Sequence, residues 1–524
     1  MQITYLGHAG FCIETKASLI IMDPWLSEYG AFDSSWFQYP KNHHMAGFVQ
    51  SCLLNSNKDK YIYISHEHRD HFDIAFLQSL QARDFTFLLA NFSHPCIKLE
   101  LSAIDYQCKK IVMLNDNEPF SLADSELRLF IVDTELNCDS AILFKHGPYQ
   151  FLNLNDCKIH DRLPAIVSEH GHINIFTAQF SGASWYPTCY EMSAEQYRKK
   201  CQDKINSKFL ATAQAIEKVK PTIYFPSAGP PCFLDPLLFP INFQDINSYP
   251  RAPQLLAYLD KNHPHLKKHT QWMEISPGDV SDVSTLKIQH QSATAADFGT
   301  YVTDYAKQYQ ALFAQRAVEN LKIKPKDVLK QLKIALEDKV NELTAVNEDV
   351  KTQLYWRLSE LPNEILCIDL AQKTLHIVHS ISNINNYWCI TTPAWQVNKV
   401  LTRVMSWPDF ALTLRLSIKR VPQEYNTILH GFLILDCNKV RSFCLKIAEI
   451  SARKERITIE YNNKAYSINR YCPHQCGDLT QGYLEGSCWV CPIHQWKFDL
   501  NNSGKCKEHT ATIDSICLTN GQED

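Results

Sequence analysis

No uninterrupted apolar run in this 524-residue chain approaches the roughly 20 residues a membrane-crossing helix needs, so no membrane span is expected. Neither charge dominates. Lysine and arginine number 52 against 56 acidic residues, a net −4, which leaves no basic field for non-specific binding of nucleic acid or an anionic membrane. The opening MQITYLGHAGFCIETK lacks the charged n-region and apolar h-region of a secretion signal, and a cytoplasmic location is expected. Repeats and low-complexity tracts are absent. With 45% hydrophobic and 21% charged residues, the composition excludes a mainly disordered chain. Disulfide-framework spacing is missing too. The nineteen cysteines are scattered, which reads as reduced cytosolic thiols, some recruited by metal.

What is present divides the chain. At about 150 residues per domain the length suggests two to four domains. ITYLG, GFCIET, LIIMD and Tyr61–Ile64 are β-rich runs, continued by 127–132, 141–145 and 149–154. Ser193 and Gln196 have capping-box spacing at the head of a helix that runs to Val219, with Pro221 just beyond. Strands interleaved with helices predict an α/β layered domain over residues 1–285. The polar stretch 276–297 marks a boundary. A helical and mixed region is expected over 286–444, where Tyr301, Tyr305, Tyr309, Leu312 and Phe313 share one face, read as a core stripe. Residues 412–418 alternate strictly and predict a half-buried strand. The segment 445–524 reads as all short strands, with Asn462-Asn463 as a hairpin turn.

Two constellations carry chemistry. His66-Glu67-His68-Arg69-Asp70-His71 follows the strand YIYIS. His66 and His68, two apart on a loop, can reach one metal ion, and Asp70 and His71 can offer ligands to a second. The other constellation is Cys472-Pro473-His474, sixteen residues, then Cys491-Pro492-Ile493-His494. Two cysteines and two histidines are also a common tetrahedral zinc set. The spacing instead resembles the Rieske motif, in which two cysteines hold one iron of a 2Fe-2S cluster and two histidines the other. CPHQCGDL, CWVCPIHQWKFDL and Ser503-Gly504 resemble the loops and following strand of that fold, and Cys476 and Cys488 read as free buried thiols. Such a cluster carries one electron and predicts a second redox partner.

The pattern H-x-H-x-D-H after a buried strand resembles the metallo-β-lactamase superfamily, which implies an αββα sandwich with metals at one edge of its sheets. Tyr5-Leu6-Gly7-His8 and Asp23-Pro24-Trp25-Leu26 look like its opening strands, which implies His8 and Asp23 as residues supporting the metal ligands. Asp156 in QFLNLNDC matches its bridging carboxylate. Its third histidine is missing from 132–140, where Glu135 takes the matching place, and its last is missing from Phe225–Gly229, with Asp235 as a substitute. Two histidines with carboxylates resemble the facial triad of non-haem iron oxygenases more than a zinc hydrolase site. His170 and His172 read as loop histidines satisfied by water or backbone.

Together the halves resemble the CMP-N-acetylneuraminate hydroxylase family, which joins the same two kinds of domain. QITYLGHA, MDPWL, YISHEHRDH, FLNLNDC, FSGASWYP, IYFPSAGP and SPGDVSDV occur in the family's order, and IKRVPQEY resembles its C-terminal segment. Two features depart from the vertebrate members: the Rieske unit is last instead of first, and Glu135 replaces a histidine. The resemblance implies a Rieske-fed iron monooxygenase acting with O2 on a small molecule, a nucleotide-sugar or other N-acyl compound. The implied electron source is an external donor, a ferredoxin or b-type cytochrome with an NAD(P)H reductase. The cluster would sit on Cys472, His474, Cys491 and His494, and one or two irons on His66, His68, Asp70, His71, Glu135 and Asp156. A zinc-dependent lactonase or phosphodiesterase with a redox-sensing Rieske unit is the alternative, and a non-catalytic electron carrier a third reading.

Overall fold

Alternation of side chains on two-sided strands builds the N-terminal half of the computed structural model, which describes residues 1–524 except 135–137, 182–183, 291–296, 344–351, 383, 453, 475–476, 492–495, 508–510 and 519–524. Strands β1 (Gln2–Gly7), β2 (Gly10–Glu14), β3 (Ser18–Met22), β4 (Asp59–Ile64), β5 (Thr86–Ala90) and β6 (Lys110–Leu114) lie in one sheet. A second sheet holds β7 (Phe120–Ser121), β8 (Glu126–Asp133), β9 (Cys138–His146), β10 (Tyr149–Asn153), β11 (Ile175–Gln179), β12 (Ile223–Ser227) and β13 (Gln271–Trp272). The short strands β14 (Val280–Asp282) and β15 (Lys287–Gln289) return to the first sheet, whose order is β15-β14-β1-β2-β3-β4-β5-β6.

Each inner strand is apolar on both faces because each face has a partner layer. Ile3, Phe11, Ile13, Ile20, Tyr63 and Leu88 point toward Leu127, Ile142, Phe144, Phe151 and Ile175 of the opposite sheet, forming the central core. Their neighbours Cys12, Leu19, Ile21, Ile62 and Phe87 point outward and pack with Val49, Phe76 and Leu101 from the helices His44–Asn55, Ile74–Ser79 and Cys96–Ala103. On the far side, Leu152, Phe176 and Tyr224 pack with Ile166, Phe209, Ile216 and Leu259 of three more helices. The result is the expected αββα sandwich. Its longest helix, Ala194–Val219, carries the predicted capping box between Ser193 and Gln196. The tyrosine face is core: Val302, Tyr305, Tyr309 and Phe313 pack on Phe37, Cys232 and Leu234.

The chain divides into two compact units, the first comprising Met1–Thr188, Ser193–Val318 and Leu412–Leu414, the second Cys189–Met192, Glu319–Ala411 and Arg415–Asp524. The second holds a five-stranded sheet, Gln353–Leu358, Ile365–Asp369, Thr374–Val378, Tyr387–Thr392 and Ser417–Val421, and the helix Pro325–Asn341. The strand expected at 412–418 begins only at Ser417. Leu412 instead ends the helix Trp407–Leu412, and Leu414 takes a left-handed φ of 59°. Aromatic packing outweighs the alternation there, since Trp407 and Phe410 both pack against Trp356. The C-terminal strands form sheets of three and four. Asn462 and Asn463, at φ 50° and 56°, make the predicted turn between Arg456–Tyr461 and Lys464–Asn469. Among the described residues no helix is long and apolar enough to cross a membrane, and every cysteine is a free thiol.

Candidate metal centre and iron-sulfur loops

Functional side chains gather where the strand ends of the two sheets of the first unit meet. Gly7 precedes His8 at a φ of 105°, and a Cβ there would lie 2.5 Å from Asn42 Nδ2, so only glycine lets the chain turn at this point. His8, Asp23 and Asn155 follow β1, β3 and β10 with φ of 54°, 40° and 51°. Three non-glycine residues in left-handed conformation at strand ends mark a site held by its surroundings.

Asp23 is the hub. Its side chain is fully buried. It accepts from the Ser65 amide at 2.8 Å and the Ser65 hydroxyl at 2.6 Å, and lies 2.7 Å from His71 Nδ1. With Nδ1 so engaged, Nε2 of His71 is the nitrogen left for a ligand role. It lies 3.6 Å from Asp156 Oδ1, and both atoms are buried without a hydrogen bond. His66 Nε2 and His68 Nδ1 are 2.8 Å apart. His8 Nε2 lies 3.3 Å from Asp70 Oδ2. Among the described residues two groups have ligand atoms close enough for one ion: His8, Asp70 and His71, and His66, His71 and Asp156.

The electrostatics call for positive charge. Four carboxylates, Asp23, Asp70, Asp139 and Asp156, act on two buried histidines, His66 and His71. Burial disfavours the His66 imidazolium, but Asp139 at 3.3 Å, with Asp156 and Asp23, outweighs it and lifts the pKa to about 10. His71 is raised likewise, against burial and His66, by Asp156, Asp23 and Asp70. Burial would raise Asp70, yet His71 and His8 hold it well below the usual carboxylate range. The set of imidazole and carboxylate donors, with buried ligand atoms lacking hydrogen bonds, suits a divalent cation.

In the second unit Cys472 and Cys491 are each 1% exposed, and their side chains hydrogen-bond to one another. Each begins a turn: the Cys472 amide donates to Gly477 O and the Cys491 amide to Trp496 O. Residues 446–516 match the family model of the Rieske 2Fe-2S domain, and residues 2–139 that of the β-lactamase superfamily domain. The chain joins these two domains. It is similar to a protein of Mycolicibacterium smegmatis described as a Rieske 2Fe-2S iron-sulfur protein, 27% identical over 97% of this chain and 98% of that one. Over 249 residues it is 27% identical to the cytidine monophosphate-N-acetylneuraminic acid hydroxylase of Pongo pygmaeus, covering 44% of this chain and 38% of that enzyme. Among solved structures, CmlA, a diiron β-hydroxylase from Streptomyces venezuelae, aligns over 55% of this chain and 54% of its own. The identity is 14% and the TM-score 0.36.

In the second unit the His474 ring stacks on Trp496 at 4.3 Å and 9°, and Tyr425, which precedes the Rieske domain, meets its edge at 4.3 Å. The Thr427 hydroxyl donates to His474 O at 2.7 Å. His494 and Cys476 lie outside the described residues, as does Glu135 in the β-lactamase superfamily domain, and Cys488 is a buried free thiol. Asp235 belongs to neither metal-competent group; its carboxylate accepts from the Leu237 amide at 2.9 Å. His172 bonds the Thr222 hydroxyl at 2.8 Å. Sequence reasoning missed Ser65 and Asp139. Both stood inside quoted segments, and Asp139 sits one residue into β9, where Ser140 donates to Ser65 O at 2.8 Å and brings that strand end to the histidine loop. That contact spans 75 residues and leaves no local signal.

Proposed function

We propose that the chain is a Rieske-dependent non-haem iron monooxygenase that hydroxylates a small molecule, a nucleotide-sugar or other N-acyl compound. The observation that carries the reading is the composition of the metal-competent groups, each two histidines and one carboxylate, in a chain that also has a Rieske domain. The similarity to a named hydroxylase supports it. His66, His68, Asp70, His71 and Asp156 would hold one or two irons, with Glu135 adding a carboxylate and His8 and Asp23 in support. Cys472, His474, Cys491 and His494 would hold the 2Fe-2S cluster. When bound, these groups supply single electrons and the reductive activation of O2. The protein's own side chains do the positioning. Asp23 fixes the His71 ring through Nδ1, Asp139 keeps a proton on His66 Nδ1, and burial of His66 and His71 excludes water from those two rings. A ferredoxin or b-type cytochrome with an NAD(P)H reductase is the proposed donor.

Metal and acid-labile sulfide analysis on anaerobically purified protein, with EPR after dithionite reduction, tests this. More than two irons with two sulfides per chain and a Rieske signal is the expected result; two irons, two sulfides and stoichiometric zinc would make it a hydrolase under redox control. Cys491→Ala is expected to abolish NADH-dependent turnover with the N-terminal metal retained, and His68→Ala to spare the Rieske EPR signature while stopping chemistry.

A further inference from the structure

Gln179, Ser184 and Tyr186 serve no purpose in the metal centre, yet they face a row of cations. Lys204 and Lys208 lie one turn apart on the helix Ala194–Val219, both half-buried. Lys204 Nζ donates to Ser184 Oγ at 2.7 Å and to Tyr186 O at 2.8 Å. Lys208 Nζ donates to Gln179 Oε1 at 3.2 Å. Gln179 ends β11, and its amide donates to Asn155 O, the residue before Asp156. Lys158, two residues past Asp156, repels both ammonium groups. Asp156, Lys158, Gln179, Ser184, Lys204 and Lys208 are all half-buried, so this wall meets solvent.

Every acceptor found for these two ammonium groups is neutral. Among the described residues neither Lys204 nor Lys208 forms an ion pair, and Asp156 is the one carboxylate acting on Lys208. Burial above all pushes both lysines down to about 7, with Lys208 and Lys158 adding repulsion at Lys204 and Lys158 at Lys208. Positive charges crowded together and partly desolvated are destabilising unless an anion joins them. A phosphate or carboxylate supplies the missing charge and accepts charge-assisted hydrogen bonds.

We propose that Lys204 and Lys208 form the subsite for an anionic group of the substrate, a phosphate or a carboxylate, beside Asp156. Placing the anion in the same pocket as the reacting atoms rests on the oxygenase reading; the binding itself does not. The test is isothermal titration of the purified full chain with methyl phosphate and with acetate, in the absence of reductant and O2. A failed hydroxylation assay therefore leaves this readout intact. Binding of one or both probes is expected. Lys204→Gln and Lys208→Gln should each weaken it by about tenfold, Lys208→Arg should restore it to within about threefold, and iron and sulfide content should stay unchanged. Tighter binding of methyl phosphate assigns a phosphate group, and tighter binding of acetate a carboxylate. Failure of both probes to bind at millimolar concentration, or a Lys204→Gln/Lys208→Gln double variant that binds within twofold of the parent, overturns the proposal.

Discussion

At the scale of single residues, the metal centre depends on orientation as much as on the ligands. Asp23 touches His71 and Ser65 and nothing that reacts, yet it decides which nitrogen of His71 faces Asp156. Asp23→Asn keeps the volume but removes the charge that favours a proton on His71 Nδ1. It is expected to lower metal affinity by about 10- to 100-fold, read by competition with a chromogenic chelator, while far-ultraviolet circular dichroism stays unchanged. An affinity within twofold of the parent would mean that packing alone holds the ring. In the second unit, Tyr425 and Trp496 enclose the His474 ring from two sides. Tyr425→Ala should open that ring to water and move the reduction potential or EPR g-values of the cluster, with two irons and two sulfides still bound.

At the scale of elements, two helices make opposite predictions. The helix Ala194–Val219 is held at its start by Ser193, whose side chain accepts from the Gln196 amide. Ser193→Ala is expected to cost about 1 kcal/mol, read as a lowered urea midpoint at unchanged slope. The helix Pro325–Asn341 contains an internal liability. Lys339 is 1% exposed, its Nζ has no hydrogen bond, and it sits 4.3 Å over Trp407 and 5.1 Å over Phe432. Burial lowers its pKa from 10.5 to about 7, against the pull of Asp436 and Cys437. The unfolded chain therefore binds a proton that the folded chain does not between these two values. The cost is absent above the unfolded pKa, grows as pH falls toward about 7, and is constant below it. Lys339→Met should raise stability at pH 7 by on the order of 2–4 kcal/mol and much less near pH 10. Equal gains at both pH values would assign the effect to packing instead of charge.

At the scale of the whole molecule, metal is expected to stabilise the fold as well as supply chemistry. The carboxylates of the first unit oppose one another unless protons or cations intervene, so an ion bound to the folded state alone adds about 2.7 kcal/mol at a free concentration 100-fold above its dissociation constant. Removing the N-terminal metal with a chelator that leaves the 2Fe-2S absorbance intact should lower a thermal unfolding midpoint, and re-addition should restore it. An unchanged midpoint would mean that the site forms without the ion's help.

Local chemistry determined much of this protein. The N-terminal β-rich runs are strands, the Ser193 and Gln196 pair is a capping box, Asn462-Asn463 is a turn, and the short-range spacing of the two cysteine loops marks the Rieske domain, while HEHRDH supplies residues of both metal-competent groups. These features are legible because neighbours in sequence create them. The tertiary structure alone decided the rest. Asp139 reaches His66 because the stacking of the two sheets brings the start of β9 to the end of β4; Lys204 and Lys208 face Asp156's strand end because their helix packs across β11; and residues 412–416 leave the strand pattern because Trp407 and Phe410 find Trp356. Each of these contacts joins segments far apart in the chain, where burial and charge are set by the partner and not by the local pattern.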